Sequence, residues 1–256
     1  MKYEICAITD VGCIRQTNDD GFYINHIGCY NTSECFVYEK ISAPLIAFVA
    51  DGVGGSKAGE EATKICIQTA QNEVIPYDDN ELITLIDKMN KCVVALRKTV
   101  DCACTLAGII LGEDSSYIYN LGDSRIYVLK QGYLNQLSTD DTVSGLSGAN
   151  SDNNSDIKEP LMQYIGKETV LPHIKQISNM TEFIICTDGL TDMVSLDEIE
   201  EVFSEPSDIK SVASLLVSKA KEKGGLDNIT LIIVKPVKED DNNGWFKKDW
   251  DYGGSR

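Results

Sequence analysis

Aspartate is the residue type best placed for chemistry in this chain. Asp51 directly follows the apolar run Leu45–Ala50, Asp188 follows Phe183–Thr187, and Asp227 precedes Asn228–Val234. Asp123 sits in Gly122-Asp123-Ser124 between two further apolar runs, and Asp19-Asp20 precede Phe22–Asn25. If those runs are β-strands, each carboxylate stands at a strand end, where several can converge. Taken singly, Asp51-Gly52 and Asp188-Gly189 read as turn dipeptides. Taken together, with His26 and His173 as the only histidines, they form a hard-oxygen donor set. Such a set selects Mg2+ or Mn2+ over zinc or copper. The stretch Asp51–Lys57 fails the register of both GxGxxG and the P-loop, so its glycines point to close backbone approach and to a Gly52 carbonyl free to act as a ligand.

The elements that must position these groups follow from apolar spacing. Runs rich in Ile, Val, Tyr and Phe predict strands at Glu4–Thr9, Phe22–Asn25, Leu45–Ala50, Leu106–Leu111, Tyr117–Leu121, Arg125–Leu129, Phe183–Thr187 and Asn228–Val234. Lys130-Gln131-Gly132 predicts a hairpin turn into Tyr133–Leu137. Helical periodicity follows Gly59, is strongest from Leu82 to Leu96, and returns from Ile209 until Gly224 supplies a stop. Ser195 and Glu198 predict a capping box at a shorter helix. Successive strands without regular βαβ alternation predict an α+β domain with antiparallel sheets covered by helices.

Length and composition narrow the classes. A chain of 256 residues, 43% hydrophobic and 25% charged, has the makings of one large globular domain. It is expected to be cytoplasmic: no apolar run approaches the roughly 20 residues of a membrane span, and Met1–Asp10 lacks a signal-peptide pattern. A formal charge of −17 argues against nucleic-acid partners and against an electrostatic membrane anchor. The nine cysteines, odd in number and without CxxC, are expected to be reduced and mostly small core residues. No Cys-x5-Arg loop is present, so the cysteines are not expected to be nucleophiles of that type. Ser144–Glu159 is polar and reads as a mobile loop within the expected domain, 1–236. The polar stretch 237–256 is expected to be a disordered tail.

The motifs in order resemble the metal-dependent protein phosphatases, the type 2C serine/threonine phosphatases in their compact bacterial form. Thr9-Asp10-Val11-Gly12 through Arg15 to Asn18-Asp19-Asp20 resembles the opening motif, and Val49–Gly55 with Ala58-Gly59-Glu60 the second. Cys104-Thr105, Asn120–Arg125, Thr139–Thr142, Cys186–Asp192 and Gly224–Thr230 resemble the remaining ones. The resemblance spans roughly residues 4–234 and implies a short polar flap at about 143–166.

It implies an α-β-β-α sandwich of two stacked antiparallel β-sheets flanked by helices, and two Mn2+ or Mg2+ ions. Asp51 would bridge the ions, Gly52 would offer its carbonyl, and Asp188 and Asp227 would hold one ion. Asp19, Asp20 and Asn228 would act through metal-bound water, and Asp123 with Asp188 would hold a third, weaker ion. Two cations about 3.5–4 Å apart lower the pKa of a shared water. The resulting bridging hydroxide would attack phosphoserine or phosphothreonine, with Arg15 gripping the phosphate. Arg15, Asp20 and Asp51 are thus the expected catalytic residues. The implied partners are a phosphorylated protein substrate and a cognate Ser/Thr kinase, with the enzyme acting as a monomer. Two positions depart from the family pattern: Val53 replaces a histidine found in some eukaryotic relatives, and Asp19 stands where glutamate is usual. The alternative is a phosphatase-like pseudoenzyme acting as a metal- or phosphoprotein-binding regulatory module.

Overall fold

The structure, a computed structural model, describes residues 1–54, 58–147, 159–178, 181–205 and 207–237. The chain opens with β1 (Lys2–Asp10), β2 (Gly21–Ile24), β3 (Ile27–Cys29), β4 (Glu34–Ser42), β5 (Leu45–Ala50) and β6 (Gly52–Val53). Two helices follow, α1 (Ala58–Gln71) and α2 (Asp79–Arg97), then β7 (Ala103–Cys104), β8 (Leu106–Leu111), β9 (Ser116–Leu121), β10 (Arg125–Lys130) and β11 (Tyr133–Gln136). The remainder is α3 (Val143–Ser147), β12 (His173–Ile177), β13 (Glu182–Cys186), α4 (Asp188–Thr191), α5 (Leu196–Ser204), α6 (Ile209–Glu222) and β14 (Ile229–Pro236).

Two six-stranded antiparallel sheets result, ordered β11-β10-β13-β14-β1-β4 and β12-β9-β8-β5-β2-β3. Alternation along the strands sets the layers. Ile5, Ala7, Ile232 and Val234 of the first sheet meet Ala47, Val49, Ala107 and Ile109 of the second in a shared core. The opposite faces are buried as well. Ile46, Phe48 and Ala50 pack under Ala62, Cys66, Leu82 and Met89 of α1 and α2. Ile8, Leu231 and Ile233 pack under Ile199, Val212 and Leu216 of α5 and α6. This is the α-β-β-α sandwich expected. Central strands buried on both faces need unbroken apolar runs, which is why Leu45–Ala50 is apolar throughout.

The expected helices are present, and Ser195 and Glu198 form the reciprocal capping box. The strands β4 and β12 were not expected. Both lie at sheet edges and leave most of their side chains partly exposed, so their sequences carry no apolar run. The cysteine expectation needs a correction: Cys29 and Cys35 form a disulfide. It joins the edge strand of one sheet, β3, to the edge strand of the other, β4, a meeting set by topology and not by any Cys motif. Cys6, Cys66, Cys102, Cys104 and Cys186 are buried thiols, as expected, whereas Cys13 and Cys92 are exposed.

The segment read as a flap begins with α3, and its C-terminal stem is tied down. Ile165 pairs with Cys104 across an antiparallel bridge, and the Gly166 N–H donates to Asn90 Oδ1 at 2.7 Å. Residues 148–158 of the flap and 238–256 of the tail lie outside the described residues. Among the described residues, no helix is long and apolar enough to cross a membrane.

Candidate metal centre

Strand ends from both sheets deliver the acidic groups to one place. Asp51 leaves β5 and is pinned from both backbone sides by Thr105: its N–H donates to Thr105 Oγ1 at 3.0 Å, and the Thr105 N–H donates to the Asp51 carbonyl at 2.8 Å. The same Thr105 hydroxyl lies 2.6 Å from Ser124 Oγ, so Asp51 and the Asp123 turn share one brace. The turn is also held by Asp141, which accepts from the Gly122 N–H at 2.9 Å. Gly52 and Gly59 touch backbone to backbone; a Cβ on Gly52 would stand 2.4 Å from the Gly59 carbonyl carbon. Only glycine at both positions lets α1 start directly beneath the loop that bears Asp51.

The second half of the site comes from the first sheet. Asp188 opens α4 where β13 ends, and Asp227 directly precedes Asn228 and β14. Asn228 ties the loops together: its Oδ1 accepts from the Asp19 N–H at 2.9 Å, and its Nδ2 donates to the carbonyls of Val11 and Thr17, each at 3.0 Å. Arg15 donates from Nη2 to Asp227 Oδ2 at 2.8 Å. This contact differs from the phosphate-gripping role expected of Arg15, and it takes up one oxygen of an expected ligand. The arginine side chain is 54% exposed, so the pair can open at little cost.

Arg15, Asp19, Asp51, Asp123 and Asp227 line a single cavity of about 460 Å3, together with Gly52 and Asn228. Asp20 and Asp188 are buried next to it. Asp20 accepts from the Thr187 hydroxyl at 2.8 Å. Burial pushes its carboxyl up to about 7; the Thr230 and Thr187 hydroxyls oppose that shift, and the charges of Asp188 and Asp227 add to it. Burial likewise raises Asp19, although Arg15 nearby works against it. Of the expected residues, Arg15, Asp19, Asp51, Gly52, Asp123, Asp227 and Asn228 line this cavity, whereas Asp20 and Asp188 do not.

Among the described residues, no three His, Cys, Asp or Glu side chains are posed as a ready-made pocket for one ion. The chemistry of the donors nevertheless fits divalent cations. They are carboxylates and a backbone carbonyl, all oxygen, and the crowding of buried acid that raises Asp20 is relieved by positive charge. The supporting groups Thr105, Thr187 and Thr230 had no role assigned from sequence. Each sits next to, or pairs with, a strand that carries an aspartate, and only the pairing of Cys186 with Leu231 across β13 and β14 brings Thr187 to Thr230. Arg125 pairs with Asp140 at 2.7 Å and braces the turn.

The molecule is a two-sheet sandwich with an acid-lined cavity at its strand ends. The sequence pattern of the family described as Protein phosphatase 2C matches residues 34–219, and this chain belongs to that family. The Listeria monocytogenes serine/threonine phosphatase stp is 27% identical over 248 residues, covering 89% of this chain and 93% of the relative. The Mycobacterium tuberculosis serine/threonine protein phosphatase PstP is 25% identical over 263 residues, covering 96% of this chain and 45% of the relative. In fold, the Streptococcus agalactiae (S. agalactiae) serine/threonine phosphatase superposes with a TM-score of 0.76 at 23% identity, over 92% of this chain and 100% of that one. The catalytic domain of PstP in complex with two manganese ions gives 0.75 at 23% identity, over 93% and 100%.

Proposed function

We infer that this chain is a protein serine/threonine phosphatase that hydrolyses the phosphate monoesters of phosphoserine and phosphothreonine. The observation that carries the reading is the convergence of Asp19, Asp51, Asp123 and Asp227 with Arg15 around one cavity, in a member of the protein phosphatase 2C family. The binding-module alternative is not favoured, because every acidic position that the family resemblance calls for is kept.

In this reading Asp51, the Gly52 carbonyl, Asp188 and Asp227 hold two Mn2+ or Mg2+ ions, and Asp123 with Asp188 holds a third, weaker one. Divalent cations at such a site supply Lewis-acid activation of water and of the phosphoryl group. Asp19, Asp20 and Asn228 position water around them. Burial raises the Asp20 carboxyl to about 7, and positive charge held at this site would oppose that shift. Arg15 exchanges Asp227 for the substrate, presenting two N–H donors to phosphate oxygens. Val53, where some relatives carry histidine, offers the leaving oxygen no proton, so that proton comes from solvent.

The reading brings with it a phosphoprotein substrate, an opposing Ser/Thr kinase, a cytoplasmic site of action and a working monomer. The test is hydrolysis of p-nitrophenyl phosphate and of a phosphothreonine peptide with EDTA, Mg2+ or Mn2+, beside Asp51→Ala. Turnover restored by metal and lost in EDTA and in the variant is expected. A folded wild type that binds Mn2+ and turns over neither substrate would return the protein to the binding-module class.

A further inference from the structure

The cavity extends past the aspartates, and its outer half has no part in the chemistry above. There its walls are Val53, Leu161, Tyr164, Arg97, Asp101 and Glu159. This half is built to hold its shape. Arg97, the last residue of α2, donates to the Gly166 carbonyl at 2.8 Å, to the Tyr164 hydroxyl at 3.4 Å and to Asp101 Oδ1 at 2.7 Å. Its guanidinium also lies over the Tyr164 ring, 5.6 Å from the centroid. Ser144 fixes Glu159 from across the flap, donating its N–H and its hydroxyl to Oε2 at 2.9 and 3.0 Å.

The charges at the two ends of the cavity differ in kind. Arg97 is committed to the chain itself, with a side chain 31% exposed, whereas the Asp101 side chain paired with it is 92% exposed. Asp101 is therefore the member of the pair that an incoming chain meets. Glu159 adds a second carboxylate, and Val53 and Leu161 add apolar surface. Divalent ions at the inner end would offset the aspartates there and leave that end suited to phosphate. The remaining walls carry two carboxylates, Asp101 and Glu159, against the one Arg97 guanidinium, and are part apolar, which suits a long aliphatic stem ending in a cation.

We propose that this outer half is a specificity subsite for a lysine or arginine flanking the phosphorylated residue of the substrate, with Asp101 and Glu159 as its charge determinants. Arg97 and Tyr164 are positioning residues that hold Asp101 and the flap stem in place. The proposal rests on the phosphatase reading and deepens it. A neighbouring substrate residue in extended conformation advances about 3.3 Å along the chain, so a site contiguous with the phosphate end is within reach of the nearest flanking positions.

The experiment measures kcat/KM with Mn2+ on matched phosphothreonine peptides that differ only in carrying Lys, Ala or Glu at the positions flanking the phosphoresidue. The wild type is compared with Asp101→Asn, Asp101→Lys, Asp101→Glu and Glu159→Gln, and p-nitrophenyl phosphate serves as the reference substrate without flanking residues. The expected wild-type preference is Lys over Glu by about 3–5-fold at low salt, the size of a rim charge pair, and it shrinks as salt is raised. Relative to the reference substrate, Asp101→Asn and Glu159→Gln each reduce the preference, Asp101→Lys reverses it and Asp101→Glu restores it. Two variants on separate segments guard against a local folding defect in either. Equal kcat/KM for the three peptides in the wild type, or a preference unmoved by both Asp101→Lys and Glu159→Gln, overturns the subsite while leaving the phosphatase intact. A preference for Glu overturns it in favour of Arg97 as the group that meets substrate. Loss of turnover on every substrate, p-nitrophenyl phosphate included, is instead the failure of the phosphatase reading, and the subsite falls with it.

Discussion

Two buried aspartates at the same edge of the molecule are handled in opposite ways. Asp10, at the end of β1, is 5% exposed, and Lys221 of α6 donates to both of its oxygens, at 3.0 and 2.7 Å. The Gly12 N–H adds a third bond at 2.8 Å. Asp20, ahead of β2, is 2% exposed, accepts a hydroxyl from Thr187, and feels Asp188 and Asp227 instead of a cation. Asp141 follows the Asp10 pattern, fully buried with the Gly122 N–H and His173 as partners. Where the chain buries a carboxylate for structure, it brings its own compensating group. Asp20, by contrast, receives hydroxyls from the chain and lies beside other acids.

The comparison can be tested by removing groups on each side of it. The largest effect is on catalysis: Asp51→Ala and Asp227→Asn should each drop turnover on p-nitrophenyl phosphate to background while circular dichroism still reports the folded state. Full turnover in either would show that the acidic cluster is not the catalytic centre. Next in size is metal-linked stability. Mn2+ should raise the Tm of the wild type, by about 2.7 kcal/mol of stabilisation at one hundred times Kd, and should not do so in Asp51→Ala.

A third effect concerns pH. The Asp20 carboxyl is raised in the fold from 3.8 to about 7 by burial, so the folded metal-free protein holds this proton more tightly than the unfolded chain. Its contribution to stability is full below about pH 4 and is lost as pH rises through about 7, on the order of a few kcal/mol. Thermal melts in EDTA should therefore show a Tm that falls between about pH 4 and 7 by more than in Asp20→Asn. The smallest effect is at the self-compensated site. Lys221→Met should cost about 1–2 kcal/mol by stranding Asp10, below the range for a fully buried pair because the lysine is partly exposed. A neutral outcome there, seen by urea unfolding, would remove the contrast between the two sites.

Much of this arrangement was legible in the residues. Leu45–Ala50 announces a strand buried on both faces, and an aspartate directly after such a run must stand at a sheet end. Asp51, Asp188 and Asp227 could be picked out for that reason, and Ser195 with Glu198 marked a helix start because capping is local in sequence. The edge strands β4 and β12 escaped notice because a strand with one open side needs no apolar run. The Cys29–Cys35 pairing escaped because no spacing rule joins them. Thr187 and Thr230 gave no chemical signal at all: a threonine in a strand is ordinary until a partner 43 residues away turns both hydroxyls toward one buried acid.

The amino-acid sequence by itself determined the types of donor, their positions at strand ends and the layered α+β class. These follow from apolar periodicity and from the hardness of oxygen ligands, which are properties of local composition. The tertiary structure alone decided which carboxylates receive a cation from the chain and which do not. Asp10 finds Lys221 across 211 residues and Arg15 finds Asp227 across 212, while Asp20 is brought against other acids. The order in which strands pair fixes those meetings, and Coulomb interactions at such short range depend on where the groups end up in space, which sequence spacing does not encode.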